Sequence, residues 1–167
     1  MKNQSNLTNV ETEGVHKLVS LLFLKGACYM NHILQYQEAL EIYKTMDENL
    51  DRHDEDIVDL YNRLIEKAVR YAHIRAGWNA LSREEKLEKD ESRTAAHDSF
   101  IASVNIISRT EGEIGSQWRE RLGNDRKRIG DFACYISLFR SLDVIRQIKR
   151  CLFRQIKTGL SEHLTMG

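Results

Sequence analysis

The chain has 167 residues, no proline, nine glycines and 25 basic against 25 acidic side chains, giving a formal net charge of zero. That length suits one domain around a single core, and the shortage of turn-formers argues against sandwiches and barrels. Balanced charge gives no overall pull towards nucleic acid or towards an acidic partner.

The expected architecture is an all-α helical bundle of four to five helices with no sheet, one domain over 1–167 with 1–8 and 160–167 frayed. The opening MKNQSNLTNV lacks the apolar core of a signal peptide, and Lys25 interrupts LVSLLFLKGACYM, so neither a secretory signal nor a membrane span is expected. Cys28, Cys134 and Cys151 are odd in number and outside any C-x-x-C pair, which reads as reduced core thiols of a cytoplasmic protein.

The helical pattern starts near Thr8, which forms a T-x-x-E capping box with Glu11. Val15, Leu18, Val19, Leu22, Met30, Ile33, Leu34 and Leu40 then recur at three- and four-residue intervals, as one helix or as two joined near Gly26. DENLDRHDED follows as an exposed acidic connection with Asp54 as the next N-cap. It begins like a calcium loop, but Arg52 replaces the turn glycine and Val58 the twelfth-position Glu.

From Ile57, the positions Leu60, Tyr61, Leu64, Ile65, Ala68, Ala72 and Trp78 trace an apolar face to about Ala80. Ser82 and Glu85 make a second capping box, and the helix it opens carries His97, Phe100, Ile101, Val104 and Ile107 on one stripe to about Thr110. SQWRERLG predicts a short helix capped by Ser116 and closed by Gly123, and Asn124 can cap a last long helix. Its stripe is Ile129, Phe132, Ala133, Ile136, Phe139, Ile145, Ile148, Leu152 and Ile156, with a possible interruption near Ser141 and an end at Gly159.

The stretch RTAAHDSFIASVN, residues 93–105, holds the chemistry-bearing candidates. A His-Asp doublet on a helix, an upstream His and a downstream Asp are what metal-dependent phosphohydrolases of the HD superfamily use to encircle cations. The matching residues are His73, His97, Asp98 and Asp131, with Asp125 in place of Asp131 as a variant. Against this, His97 lies on an apolar stripe, where a neutral imidazole packs well and needs one hydrogen bond. Arg93, His97, Asp98, Asn105 and Arg109 then form a polar row beside the stripe, either a seam that fixes helix register or the lining of a small pocket. No catalytic residue and no cofactor is assigned.

Charge is distributed unevenly. Glu38 to Asp59 holds nine acidic residues against Lys44 and Arg52, whereas Arg146, Lys149, Arg150, Arg154 and Lys157 make the last helix a basic amphipathic one. That face could grip nucleic acid or another anionic surface, or it could simply be solvated; no recognisable DNA-reading module surrounds the charges, so nucleic acid is not the favoured partner.

Between Ile57 and Arg146, the phrases R-T-x-x-H-D-x-F-I, N-x-x-x-R and R-I-G-D-F-A-C-Y resemble a family of uncharacterised small helical proteins from Firmicutes. The resemblance covers a little over half the chain, implies a bacterial cytosolic helical protein, and transfers no catalytic residue. The expected role is non-enzymatic, as an interaction or regulatory protein with a protein partner. A homodimer is plausible because LVSLLFL is more apolar than one surface stripe requires.

Overall fold

The computed structural model describes residues 33–164, with side chains as far as Arg150 apart from Ile148. The Thr8 capping box, the apolar run from Val15 to Met30 with the dimer face argued from it, Cys28, and the side chains of Cys151, Arg154 and Lys157 lie outside the described residues.

Within them the chain is all-α and contains no strand. The elements are α1 (Tyr36–Glu48), α2 (Glu55–Gly77), a 3-10 turn (Trp78–Ala80), α3 (Arg83–Thr110), α4 (Gly112–Leu122) and α5 (Arg126–Leu164). No described helix is long and apolar enough to cross a membrane.

Local sequence explains most of the boundaries. Asp54 caps α2 by accepting from the backbone N–H groups of Asp56 at 3.0 Å and Ile57 at 3.2 Å. Ser82 and Glu85 form the reciprocal capping box that opens α3. The acidic connection is exposed from Asp51 to Asp54, and Leu50 pins it to the core.

Three boundaries differ from expectation. Ser116 does not cap α4, because the chain turns earlier, on Gly112 at φ +61°, a left-handed conformation that suits glycine. The Ser116 hydroxyl instead donates to the Gly112 carbonyl inside the helix, at 3.0 Å. Asp125, not Asn124, caps α5: its carboxylate accepts from the Arg128 N–H at 2.9 Å and its carbonyl from the Ile129 N–H at 3.0 Å. Finally, α5 runs unbroken through Ser141 and past Gly159 to Leu164. The Ser141 hydroxyl donates to the Ser137 carbonyl, a bond a helix tolerates.

Helices α2 and α3 form an antiparallel hairpin, since Lys67 bonds Ser103, Tyr71 stacks on His97, and Arg93 covers Trp78. The other face of α2 meets α5, while α4 folds against α3 and α1. The core gathers Met46, Leu64, Phe100, Val104, Ile107, Trp118, Leu122, Ile129, Phe132 and Ile136, all at most 1% exposed. Each such side chain contributes about 1.5–3 kcal/mol through burial. The α5 stripe leaves the core after Leu142: Ile145, expected on it, is 45% exposed.

Two glycines set helix spacing. A Cβ at Gly115 would overlap the Ser108 carbonyl, so α4 crosses α3 backbone to backbone. A Cβ at Gly130 would lie 3.0 Å from the Tyr71 hydroxyl and 3.1 Å from an Arg75 guanidinium nitrogen, so α2 rests directly on α5 there.

Candidate functional site

The polar row of α3 does not act as one unit. Its C-terminal part is structural: Asn105 Oδ1 accepts from Arg119 Nε at 2.8 Å, and Arg119 also donates to the Gly123 carbonyl at 2.5 Å. This bond ties α3 to α4, and burial pulls the Arg119 pKa downward. Arg109 is exposed on the outer face.

The N-terminal part of the row, Arg93 and His97, faces a pocket of about 530 Å³, within the roughly 300–1,000 Å³ span of small-molecule sites. Helix α2 and the turn after it contribute Tyr71, Arg75, Trp78 and Asn79, and α3 adds Thr94 beside Arg93 and His97. The first turn of α5 contributes Arg126 and Lys127. Among the described residues, no carboxylate lines this pocket.

Each cation is set differently. Arg75 is 8% exposed and donates to Asp131 Oδ1 at 2.5 Å. Burial opposes its charge, but Cys134 and Asp131 beside it outweigh that and raise its pKa. Arg93 lies over the Trp78 ring, 4.4 Å from its centroid, and pairs with Asp90 at 2.7 Å. Arg126 pairs with Asp98 at the rim. Lys127 makes no ion pair among the described residues.

Helix α5 starts with Arg126, Lys127 and Arg128 and has no acidic residue in its first turn. The positive end of a helix dipole disfavours cations, so this placement works against helix stability. Arg128 offsets it through Glu38 and Arg126 through Asp98, but Lys127 has no such ion pair among the described residues.

His97 is 8% exposed and stacks on Tyr71, with ring centroids 4.6 Å apart and planes at 16°. Its Nε2 is buried with no hydrogen-bond partner among the described residues, a situation that normally costs about 1–3 kcal/mol. Desolvation and then the Arg126 charge lower its pKa, while Asp98 and a hydrogen bond with the Arg126 backbone pull the other way. The ring is therefore neutral near pH 7.

The residues proposed from sequence as metal ligands are apart or otherwise engaged. His73 is exposed on α2, and Asp98 is exposed and paired with Arg126. Asp131 is fully buried: Oδ1 takes Arg75, and Oδ2 accepts from the backbone N–H groups of Ile33 at 2.6 Å and Leu34 at 3.2 Å. Asp125 is engaged as the α5 cap. Among the described residues, no three His, Cys, Asp or Glu side chains gather into a metal-binding group. Of the basic face, Arg146, Lys149 and Arg150 are exposed on α5, with Arg146 pairing to Asp143 at 3.2 Å.

Sequence reasoning missed Arg75, Tyr71, Trp78 and Lys127 as pocket residues. One signal was present: Arg75 continues the Leu64, Ala68, Tyr71 stripe, and a charge at a core position demands a buried partner. Asp131, between Ile129 and Phe132, makes the matching demand.

Comparison of the chain with family models, curated proteins and solved structures gave no match. The pocket is therefore read on its own geometry.

Proposed function

We propose that this protein is a non-catalytic helical-bundle protein that binds a small organic anion in the pocket between α2, α3 and α5, in keeping with a regulatory role. The observation that carries this reading is the lining itself: Arg75, Arg93, Arg126 and Lys127 converge on one concavity to which, among the described residues, no carboxylate contributes a wall. Guanidinium groups suit carboxylate and phosphate oxygens, and Tyr71 and Trp78 supply ring surface for an organic portion.

The excess charge centres on Lys127. Arg75, Arg93 and Arg126 each have a carboxylate behind or beside them, which fixes their direction and leaves donors for a ligand. Among the described residues Lys127 has none, so an entering anion meets an unneutralised ammonium there.

The test is titration of the protein with sulfate, inorganic phosphate and citrate at low ionic strength, followed by calorimetry. Saturable binding that weakens at least fivefold in Lys127→Ala and falls with added salt is the expected result. Absence of saturable binding by all three anions at millimolar concentration overturns the reading.

A further inference from the structure

We propose that the pocket is matched to a doubly charged organic oxyanion, and that His97 takes up a proton from solvent when that dianion binds. The inference rests on the reading of the pocket as an anion site and deepens it to a ligand class.

The first argument is charge. Three of the four cations lining the pocket are already paired, Arg75 with Asp131, Arg93 with Asp90 and Arg126 with Asp98. Among the described residues, this leaves Lys127 as the one uncompensated charge, enough for a monoanion. A second negative charge in a half-enclosed site needs a second positive one. Among the described lining residues, the one neutral group that can supply it near pH 7 is His97.

The second argument is hydrogen bonding. A bond that favours the charged imidazole is one the ring donates, so the ring's N–H is directed to the Arg126 backbone. Nε2, which has no partner, is then the bare nitrogen of the neutral ring. A bare nitrogen repels an oxyanion. Once protonated, the ring on the pocket wall attracts the oxyanion, and Nε2, covered in the free protein, gains a charge-assisted bond when the ligand reaches it.

The groups around His97 are consistent with a ring held neutral until a ligand arrives. From α2, Tyr71 stacks on it and Arg75 adds positive charge; from α5, Arg126 does the same. Lys127 shares the pocket from α5, while Asp131 and Cys134 of that helix act on Arg75. On its own helix, Asp98 favours protonation, and Arg93 shares the wall. A dianion adds two negative charges to this set and tips it towards the imidazolium. Beyond the oxyanion, the remaining volume lies against Trp78 and Tyr71, which suits an organic remainder.

Sulfate and methanesulfonate are the probes, because they present similar oxygens with two charges and one, and neither titrates near neutral pH. Calorimetry of the full chain at pH 7.5, in Tris and in HEPES, reports proton uptake from the difference in heat. Sulfate should bind at least tenfold tighter than methanesulfonate, with up to one proton taken up per sulfate and none per methanesulfonate. His97→Gln should bind sulfate more weakly and without uptake. Nitrogen NMR of wild-type histidines gives a readout independent of how that variant folds: Nε2 of His97 should change from unprotonated to protonated on sulfate addition.

Sulfate binding with no proton exchange and an unchanged His97 signal overturns this inference while leaving the anion site standing. Failure of both probes to bind removes the anion site itself. Phenyl phosphate and succinate then distinguish a monoester from a dicarboxylate, and tighter binding of either than of its singly charged counterpart, methyl phenyl phosphate or butyrate, supports the dianion assignment. Equal affinity within each pair counts against it.

Discussion

Gly130 of α5 lies directly against Tyr71 of α2: an added Cβ would stand 3.0 Å from the Tyr71 hydroxyl, so the ring would have to give by a few tenths of an ångström. Tyr71 in turn is the ring on which His97 stacks. Gly130→Ala should therefore cost about 1–2 kcal/mol in stability and displace the stacked pair. Thermal denaturation measures the first effect, and weaker sulfate binding by the purified variant measures the second.

Arg75 and Asp131 form a buried ion pair, and breaking one half of such a pair is more damaging than replacing both. Asp131→Asn should lower stability by about 3 kcal/mol, because it leaves the Arg75 guanidinium without its counter-charge. Arg75→Met should do comparable harm by stranding the carboxylate. The double variant should be less destabilised than the sum of the two, by at least about 1 kcal/mol. Urea denaturation of the four proteins closes the cycle, and strict additivity would show that the pair is not coupled.

Glu111, at the junction of α3 and α4, accepts from Trp118 Nε1 at 2.6 Å through Oε2, while its Oε1 is buried without a partner. Burial pushes its pKa up to about 6. A carboxyl whose folded pKa exceeds its unfolded value stabilises most when protonated, so its contribution is lost as pH rises from about 4.5 to 6. Glu111→Gln should be more stable than wild type by about 1 kcal/mol at pH 7.5, discounted for partial exposure, and equal to it near pH 4. Melting curves across that range test the sign.

His97 works in the opposite sense. Its folded pKa is lowered by burial, so the unfolded chain binds more protons than the native state in the window below the ordinary histidine pKa, about 6.5. Stability from this group is present above that value and lost as pH falls through it. His97→Gln should flatten the acid side of the stability profile in ligand-free protein, measured by denaturant midpoint against pH. A profile no different from wild type below pH 6.5 would refute this account.

Gly115→Ala is expected to be the most disruptive single-methyl change. The obstructing atom is the Ser108 backbone carbonyl, which cannot turn aside as a side chain would. Separation of α3 from α4 should cost about 3 kcal/mol, and it should also stretch the Asn105–Arg119 bond. Circular dichroism and thermal melting would show retained helix with a much lower midpoint.

The sequence made the architecture readable wherever a local rule operated. Asp54, the Ser82–Glu85 box and Gly123 mark helix ends that the structure shares, because capping depends on residues three or four apart. The start of α4 was misread because Ser116 has a capping chemistry that Gly112 made redundant four residues earlier. The site was half legible. Arg93 and His97 stood out on one helix, but Arg75, Trp78 and Lys127 reach the pocket from other elements, and the packing of α2 on α3 and α5 brings them together. Likewise, nothing local separates Asn105, which locks α4 in place, from His97 two turns earlier, whose Nε2 has no partner.

The Asp131 carboxylate has a practical consequence for dividing the chain. A fragment beginning at Tyr36 would keep every helix described here, yet it would delete the two backbone N–H groups of Ile33 and Leu34 that hold one oxygen of that buried carboxylate. The missing bonds would be felt through Asp131 by Arg75 on the wall of the pocket, 56 residues from Asp131 along the sequence. The minimal unit that preserves the site must therefore begin upstream of Ile33, although neither Ile33 nor Leu34 lines the pocket.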